Sequence, residues 1–396
     1  MKYCFISALF LLLLIGCSEK SGNPLVPTSE RNFSKTIGES NSDDFGESVI
    51  QTSDGGFIVA GITSLFDSGQ EDVYLVKANA SGNKVWAKTF GGSCSDVGHS
   101  VQQSSDGGFI IAGSTSSFGA GNSDIYLIKT DVNGNKVWEK TFGGANEDWG
   151  SSVQQSSDGG YIITGSTRSF GAGQADVYLI KTDISGNKIW EKTFGGSRSE
   201  SGNSVQQTPD GGFIIAGYAV LDTGATDVYL IKTDLSGNKV WEKTFGGSTD
   251  DISYSIQQTS DNGFIVVGYT WSTGAGQDDI YLIKTDANGN LIWERAVGGS
   301  GADFGIYVRQ TSDGGFIIAG GTMSYGAGQV DVYLVKIDAS GNKIWEKVFG
   351  GRDRDEGHSV QQTSDGGYII TGYTKSFGAG YSDVYLIKTD SEGNVK

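Results

Sequence analysis

The chain has 396 residues and a formal charge of −17, with 62 Gly, 3 Pro, 3 Cys and 2 His. Its glycines follow no three-residue period, which excludes collagen, and 37% apolar with 11% aromatic residues gives core material that a disordered chain lacks. Three cysteines rule out a disulfide scaffold, and the acidic balance argues against a nucleic-acid partner, which is held by neutralising its phosphates.

From the amino terminus, Lys2 gives a short positive start and Phe5 to Ile15 is apolar. A mature membrane-spanning helix needs roughly 20 residues, so this run suits the h-region of a secretory signal instead. It ends in Leu14-Ile15-Gly16-Cys17. That ending resembles the lipobox of bacterial lipoproteins. The resemblance implies a signal peptide over residues 1–16, cleavage before Cys17, and acyl chains such as palmitate carried on Cys17. Each buried acyl methylene contributes about 0.8 kcal/mol, so several chains on one cysteine hold a soluble domain at a membrane. Residues 17–32 carry two of the three prolines and no apolar period, and read as a flexible tether. Ser18 stands where some lipoproteins have the Asp that retains them at the inner membrane. The expected anchoring site in the cell envelope is therefore the outer membrane, on its periplasmic or its surface side. With Cys17 acylated, Cys94 has no partner for an intrachain disulfide.

Residues 33–396 are one unit repeated. Asp54, Asp106, Asp158, Asp210, Asp261, Asp313 and Asp365 recur at steps of 51 or 52 residues. Trp86, Trp138, Trp190, Trp241, Trp293 and Trp345 keep the same step. A period of this size is the length of a four-stranded propeller blade. In one unit, Ser100 to Gln103 alternates and Asp106-Gly107-Gly108 turns the chain. Phe109 to Gly113 is a short apolar run, as a strand covered on both faces should be. A Gly/Ser-rich loop leads to a third strand over Asp124 to Lys129, and Asp131-Val132-Asn133-Gly134-Asn135 signals a hairpin. Lys136 to Phe142 is half polar, as an outer strand would be. No segment after the signal has a helical period.

The seventh unit reaches Asn394-Val395-Lys396 without a fourth strand. Phe33-Ser34-Lys35-Thr36-Ile37-Gly38 matches Trp86-Ala87-Lys88-Thr89-Phe90-Gly91, so the amino-terminal segment is expected to complete the last blade. The expected fold is all-β: a closed seven-bladed β-propeller with four antiparallel strands per blade. Closure removes the open edges that a stack of seven sheets would leave.

The order apolar run, Gly, loop, Asp-(Val/Ile)-Tyr, Asp-x-x-Gly-Asn-x-x-Trp is similar to kelch-type blades. Its last part resembles the tryptophan-docking motif of quinoprotein-type propellers. The resemblance spans residues 33–396 but fixes only scattered positions in each unit. It implies that Trp86 and its five equivalents dock between neighbouring blades. Only Gly320-Gly321 reproduces the paired glycines that usually end the second kelch strand. Ligands for a quinone have no counterpart here, so a quinone-dependent enzyme is the weakest reading.

Several repeated residues are expected to be structural. The Tyr of each third strand, from Tyr74 to Tyr385, belongs to the core. The Lys three residues later, from Lys77 to Lys388, is expected to pair with a neighbouring blade. Two acidic series fall on the face that carries the longer loops. One is Asp44, Asp96, Asp148, Glu200, Asp251, Asp303 and Asp355; the other is Asp72, Asp124, Asp176, Asp227, Asp279, Asp331 and Asp383. Such carboxylates hold loop N–H groups, with Ca²⁺ as the alternative occupant; no loop has the Asp-x-Asp-x-Asp spacing that concentrates its ligands. No metal site is assigned.

Function is sought where the units differ. Trp149 and Trp271 lie outside the docking series, and Tyr325, Tyr381, Phe45 and Phe304 join them as candidate ligand-binding residues on the loop-rich face. His99 and His358 occupy equivalent places in different units and read as repeat variation. No catalytic constellation is visible. The expected function is a lipid-anchored, non-catalytic module that binds a protein or acts as a scaffold. A carbohydrate-binding or carbohydrate-cleaving surface protein, motivated by Trp149 and Trp271, is the alternative.

Overall fold

A computed structural model describes residues 32–65 and 70–395. The expected signal peptide, Cys17 and nearly all of the expected tether lie outside the described residues. Among the described residues, twenty-eight strands form seven antiparallel sheets of four. Blade 1 consists of β2 (Ser42–Gln51), β3 (Phe57–Leu65), β4 (Glu71–Ala78) and β5 (Lys84–Phe90). Blade 2 follows with β6 (Asp96–Gln103), β7 (Phe109–Thr115), β8 (Asp124–Thr130) and β9 (Lys136–Phe142). Blades 3 to 6 repeat the pattern over residues 148–194, 200–245, 251–297 and 303–349.

Blade 7 joins the two ends of the chain. Its strands β26 (Asp355–Gln362), β27 (Tyr368–Thr374) and β28 (Asp383–Thr389) are completed by β1 (Phe33–Ile37), which pairs antiparallel with β28 from Phe33↔Lys388 to Ile37↔Val384. The fold is the closed seven-bladed propeller expected from the repeats. Inner strands begin four residues earlier than the alternation suggests, at Asp96 rather than Ser100 in blade 2. A bulge between Gly98 and Ser100 hides those residues by shifting the register.

The core sits between blades. One cluster joins Ile58, Ala60, Val73 and Leu75 of blade 1 to Val101, Phe109, Ile111 and Tyr126 of blade 2, with Trp86 against it. Trp86 reaches forward, its ring 6.4 Å from that of Phe109. A Cβ on Gly134 of blade 2, whose φ is +75°, would come within 2.6 Å of that indole. At the closure Phe33 takes the tryptophan's place, its ring 6.1 Å from Phe57 and packed against Gly82.

The lower face carries the short turns. In blade 2 Gly107 adopts a φ of +85°, and in blade 5 Asn262 fills the equivalent place at +65°, a region that Asn tolerates. The conserved-pattern lysine pairs within its own blade and not with a neighbour: buried Lys129 reaches Asp106 at 2.9 Å, and Lys77, Lys181 and Lys388 do likewise with Asp54, Asp158 and Asp365. Strand β8 runs beside β7, with Ile110 opposite Lys129, so the turn before β7 is within reach of this side chain. Burial would raise the turn carboxyls, but the lysine, a neighbouring hydroxyl and a backbone N–H overcome it. Asp54, Asp210, Asp261 and Asp313 are held down to about 2.

The upper face carries the two acidic series, which meet in pairs across each blade boundary. A Cβ on Gly143 would lie 2.0 Å from Asp124 Oδ1 and 2.6 Å from Asp148 Oδ2. Asp124 Oδ2 accepts N–H bonds from Ala120 and Gly121, and Asp148 Oδ2 accepts from the Gly144 N–H and the Ser169 hydroxyl. Burial, then the facing carboxylate, raises Asp72 beside Asp96 and Asp227 beside Asp251.

These shifts predict a stability maximum in mild acid. Lowered turn carboxyls contribute stability above an unfolded pKa of about 3.9 and lose it as pH falls through about 2. Raised rim carboxyls keep protons in the folded state that the unfolded chain has released, so stability falls as pH rises through their folded pKa. Urea midpoints measured from pH 2 upward should climb to about pH 4 and then decline slowly. A steady rise to pH 8 would sink the claim that the rim pairs repel.

Candidate functional site

The inner strands enclose a central channel of about 600 Å³. Successive strands are tied by side chains: the Val101 N–H donates to Ser48 Oγ and the Val153 N–H to Ser100 Oγ, both at 3.3 Å. In blade 6 Tyr307 stands in place of this serine, and Arg309 in place of the glutamine two residues on. The residue that each bulge leaves unpaired points into the channel. It is Glu47, His99, Ser151, Asn203, Tyr254, Ile306 or His358, so the seven units differ most where their side chains converge.

One side of the upper channel mouth is charged. His358 lies with Nδ1 3.0 Å from Glu47 Oε2 and Nε2 3.2 Å from Glu356 Oε2. Glu356 also pairs with Arg354. Burial works against a charge on His358, but the two carboxylates outweigh it and push its pKa up to about 10. His358 is therefore an imidazolium at neutral pH that donates both N–H groups. It bridges blades 7 and 1, the two units that close the ring. The Phe45 ring packs 5.0 Å from Tyr373 across the same junction, and His358 lies 5.6 Å from Tyr373.

The opposite side is aromatic. On blade 5 Tyr254 lies 6.0 Å from Tyr269, and Tyr269 lies 6.5 Å from Trp271, a row that runs from channel to rim. Tyr218 of blade 4 lines the channel beside Tyr254. Tyr254 is 37% exposed and Trp271 54%. Asp250 and Asp278 are close enough to Tyr269 to raise its pKa, after burial.

The six candidate residues fall in different settings. Trp271 joins the aromatic row. Trp149 is half-buried on blade 3, with the Arg168 guanidinium 5.1 Å from its ring and Glu147 paired to that arginine. A groove of about 340 Å³ lined by Ser114, Asn122 and Glu147 runs beside it. Tyr325 packs 5.6 Å from Tyr333 and donates its hydroxyl to the Gly298 carbonyl at 3.2 Å; Phe118, Phe170 and Phe377 occupy the same loop position in other blades. Phe304 lies over Gly321, where a Cβ would come within 2.5 Å of its ring. Tyr381 is 68% exposed with Lys375 4.9 Å from its ring, and Phe45 belongs to the closure. Trp149 and Trp271 are two blades apart and do not form one site.

Sequence reasoning missed Glu47, Tyr218, Tyr254 and Tyr269. The signal was present: aligning units gives Glu47 the position of His99 and His358, and puts Tyr218 and Tyr269, with Tyr373, where blades 2, 3 and 6 have Ser or Gly. Among the described residues no group of three or more His, Cys, Asp or Glu is placed to hold a metal ion.

Fold and channel mouth together define a β-propeller of seven four-stranded blades with an asymmetric, aromatic and charged upper opening. No known protein-family profile matches the chain. In sequence it is similar to the regulatory protein FlaEY of Caulobacter vibrioides, 25% identical over 189 residues, a match covering 40% of this chain and 20% of that one. The chain thus spans about a fifth of that relative's length. In structure it is similar to the Pan2 WD40 domain of Neurospora crassa, with a TM-score of 0.53, 9% identity and coverage of 91% and 98%. Sqt1 from Chaetomium thermophilum gives 0.51, 11%, 86% and 82%. BBS1N, solved in complex with ARL6DN, gives 0.52, 9%, 90% and 95%. At these identities the structural likeness is one of fold.

Proposed function

We propose that the chain is a lipid-anchored propeller of the cell envelope, held through Cys17 at the outer membrane, that binds a protein partner on its upper face and performs no chemistry. The supporting observation is that near-identical units diverge most at the upper channel mouth and rim. Trp271, Met323 and Tyr381 all stand more than half exposed there. Large apolar side chains at that exposure, beside a shaped opening, suit an interface. FlaEY is described as a regulatory protein and BBS1N was solved with a partner, both in keeping with a binding role. The saccharide reading draws on Trp149 and Trp271, but Arg168 already covers one face of the first.

Two measurements test this proposal. Photo-crosslinking residues at positions 323 and 381 in cells should give discrete protein adducts, whereas positions 189 and 240 on the outer strands should give none. Equal labelling from both sets would overturn the assignment of the face. Metabolic labelling with palmitate should mark the wild type and be lost in Cys17→Ser; label retained in that variant would remove the anchor.

A further inference from the structure

Several aromatic rings on the upper face and in the channel have a cation from this chain beside them. Arg168 stands over Trp149, Lys375 over Tyr381, and Arg309 lies 4.5 Å from the ring of Tyr307. Tyr373 has His358 beside it, and Arg354 pairs with Glu356 close by. In blade 3 the set is complete: carboxylate Glu147, indole Trp149 and guanidinium Arg168.

Blade 5 has the same ingredients without the cation. Asp250 occupies the unit position of Glu147, and Trp271 that of Arg168. The Trp271 backbone N–H donates to the Asp250 carbonyl at 2.9 Å, just as the Arg168 backbone N–H donates to the Glu147 carbonyl at 2.9 Å. An indole thus stands where blade 3 has its guanidinium. Asp278 adds a second carboxylate, and burial with neighbouring Asp279 and Asp303 disfavours its ionisation. Among the described residues neither Asp250 nor Asp278 has an ion-pair partner, and no cation stands over Tyr254, Tyr269 or Trp271.

We infer that blade 5 takes its missing cation from outside: a segment of a protein partner lays an arginine or lysine side chain on the Tyr254–Tyr269–Trp271 row, against Asp250 and Asp278. The ring faces attract a cation through their quadrupoles, and the carboxylates supply its counter-charge. Arginine is the better fit, because its planar guanidinium stacks on a ring while donating to a carboxylate. A neutral sugar would stack too but would leave both carboxylates uncompensated. This inference rests on the protein-binding reading and names the chemistry of the partner.

The test uses the mature chain and a fluorescein-labelled Gly/Ser peptide bearing two arginines, beside the same peptide with citrulline, the neutral isostere. Fluorescence anisotropy should show binding of the arginine peptide and at least tenfold weaker binding of the citrulline one. Trp271→Ala should weaken binding at least tenfold. Trp271→Arg, which rebuilds the self-neutralised arrangement of blade 3, should do the same while keeping the wild-type urea midpoint. Ile189→Ala should change nothing. Absence of binding, equal affinity for the citrulline peptide, or indifference to both Trp271 substitutions would overturn the inference, the last marking mere attraction to an acidic protein. Chitotetraose bound through Trp271, with no peptide binding, would overturn the inference and the protein-binding reading together. Protein crosslinks from positions 323 and 381 without peptide binding would leave that reading standing and remove only the inference.

Discussion

A chain lacking Phe33 to Gly38 is expected to lose its single cooperative unfolding transition. The deletion removes a five-residue ladder on β28 and the buried side chains of Phe33 and Ile37, which bind blade 7 to blade 1. It leaves β28 as an open edge between two blades whose apolar faces no longer meet, a template for association with other chains. The smaller change Phe33→Ala should cost about 3 kcal/mol, the usual loss for a buried aromatic. Phe33→Trp should be tolerated, since six other blades seat an indole there against a glycine like Gly82. A synthetic peptide of residues 33–38 added to the truncated chain should restore the transition, because strand addition to an exposed edge is a recognised mode of peptide capture. An equally stable, monodisperse truncated protein would overturn the closure.

Replacing His358 with alanine should give the next largest loss, roughly 3 kcal/mol at pH 6, because Glu47 and Glu356 would remain in a largely enclosed site without their shared cation. The pH dependence identifies the cause. A histidine raised to about 10 contributes stability fully below its unfolded pKa of about 6.5 and loses it as pH rises through about 10. Glu47 and Glu356, held below the usual carboxylate range despite burial, contribute above an unfolded pKa of about 4.3 and lose it in acid. The gap between wild type and His358→Ala in urea titrations should therefore be widest near pH 5 to 6 and narrow towards pH 10. A gap of constant size would mean that packing, not charge, is lost. Glu47→Gln should lower the titration midpoint of His358 in an NMR experiment.

Repeat spacing made the architecture legible because each blade solves one packing problem with the same residues. Asp106 turns, Trp138 docks, and Phe33 fills the vacant docking position, all visible from alignment of the chain with itself. Contacts across that alignment were hidden. The bulge after Gly98 reverses the strand alternation, so alternation alone does not mark residues 47, 99, 254 and 358 as channel-facing; only their variation between aligned units does. Arg168 lies 19 positions from Trp149, and only the pairing of the two strands brings it over the ring. The regular recurrence of Lys129 suggests a partner in the neighbouring blade, but the nearer turn of its own sheet satisfies it.

Because Phe33 pairs with Lys388, and the Asn32 amide reaches the Asn394 carbonyl at 3.4 Å, both ends of the described chain emerge side by side beneath blade 7. A tether running from that point would pull on the underside alone. The aromatic and charged opening lies on the opposite face, so a tag fused at either described end is expected to leave it free.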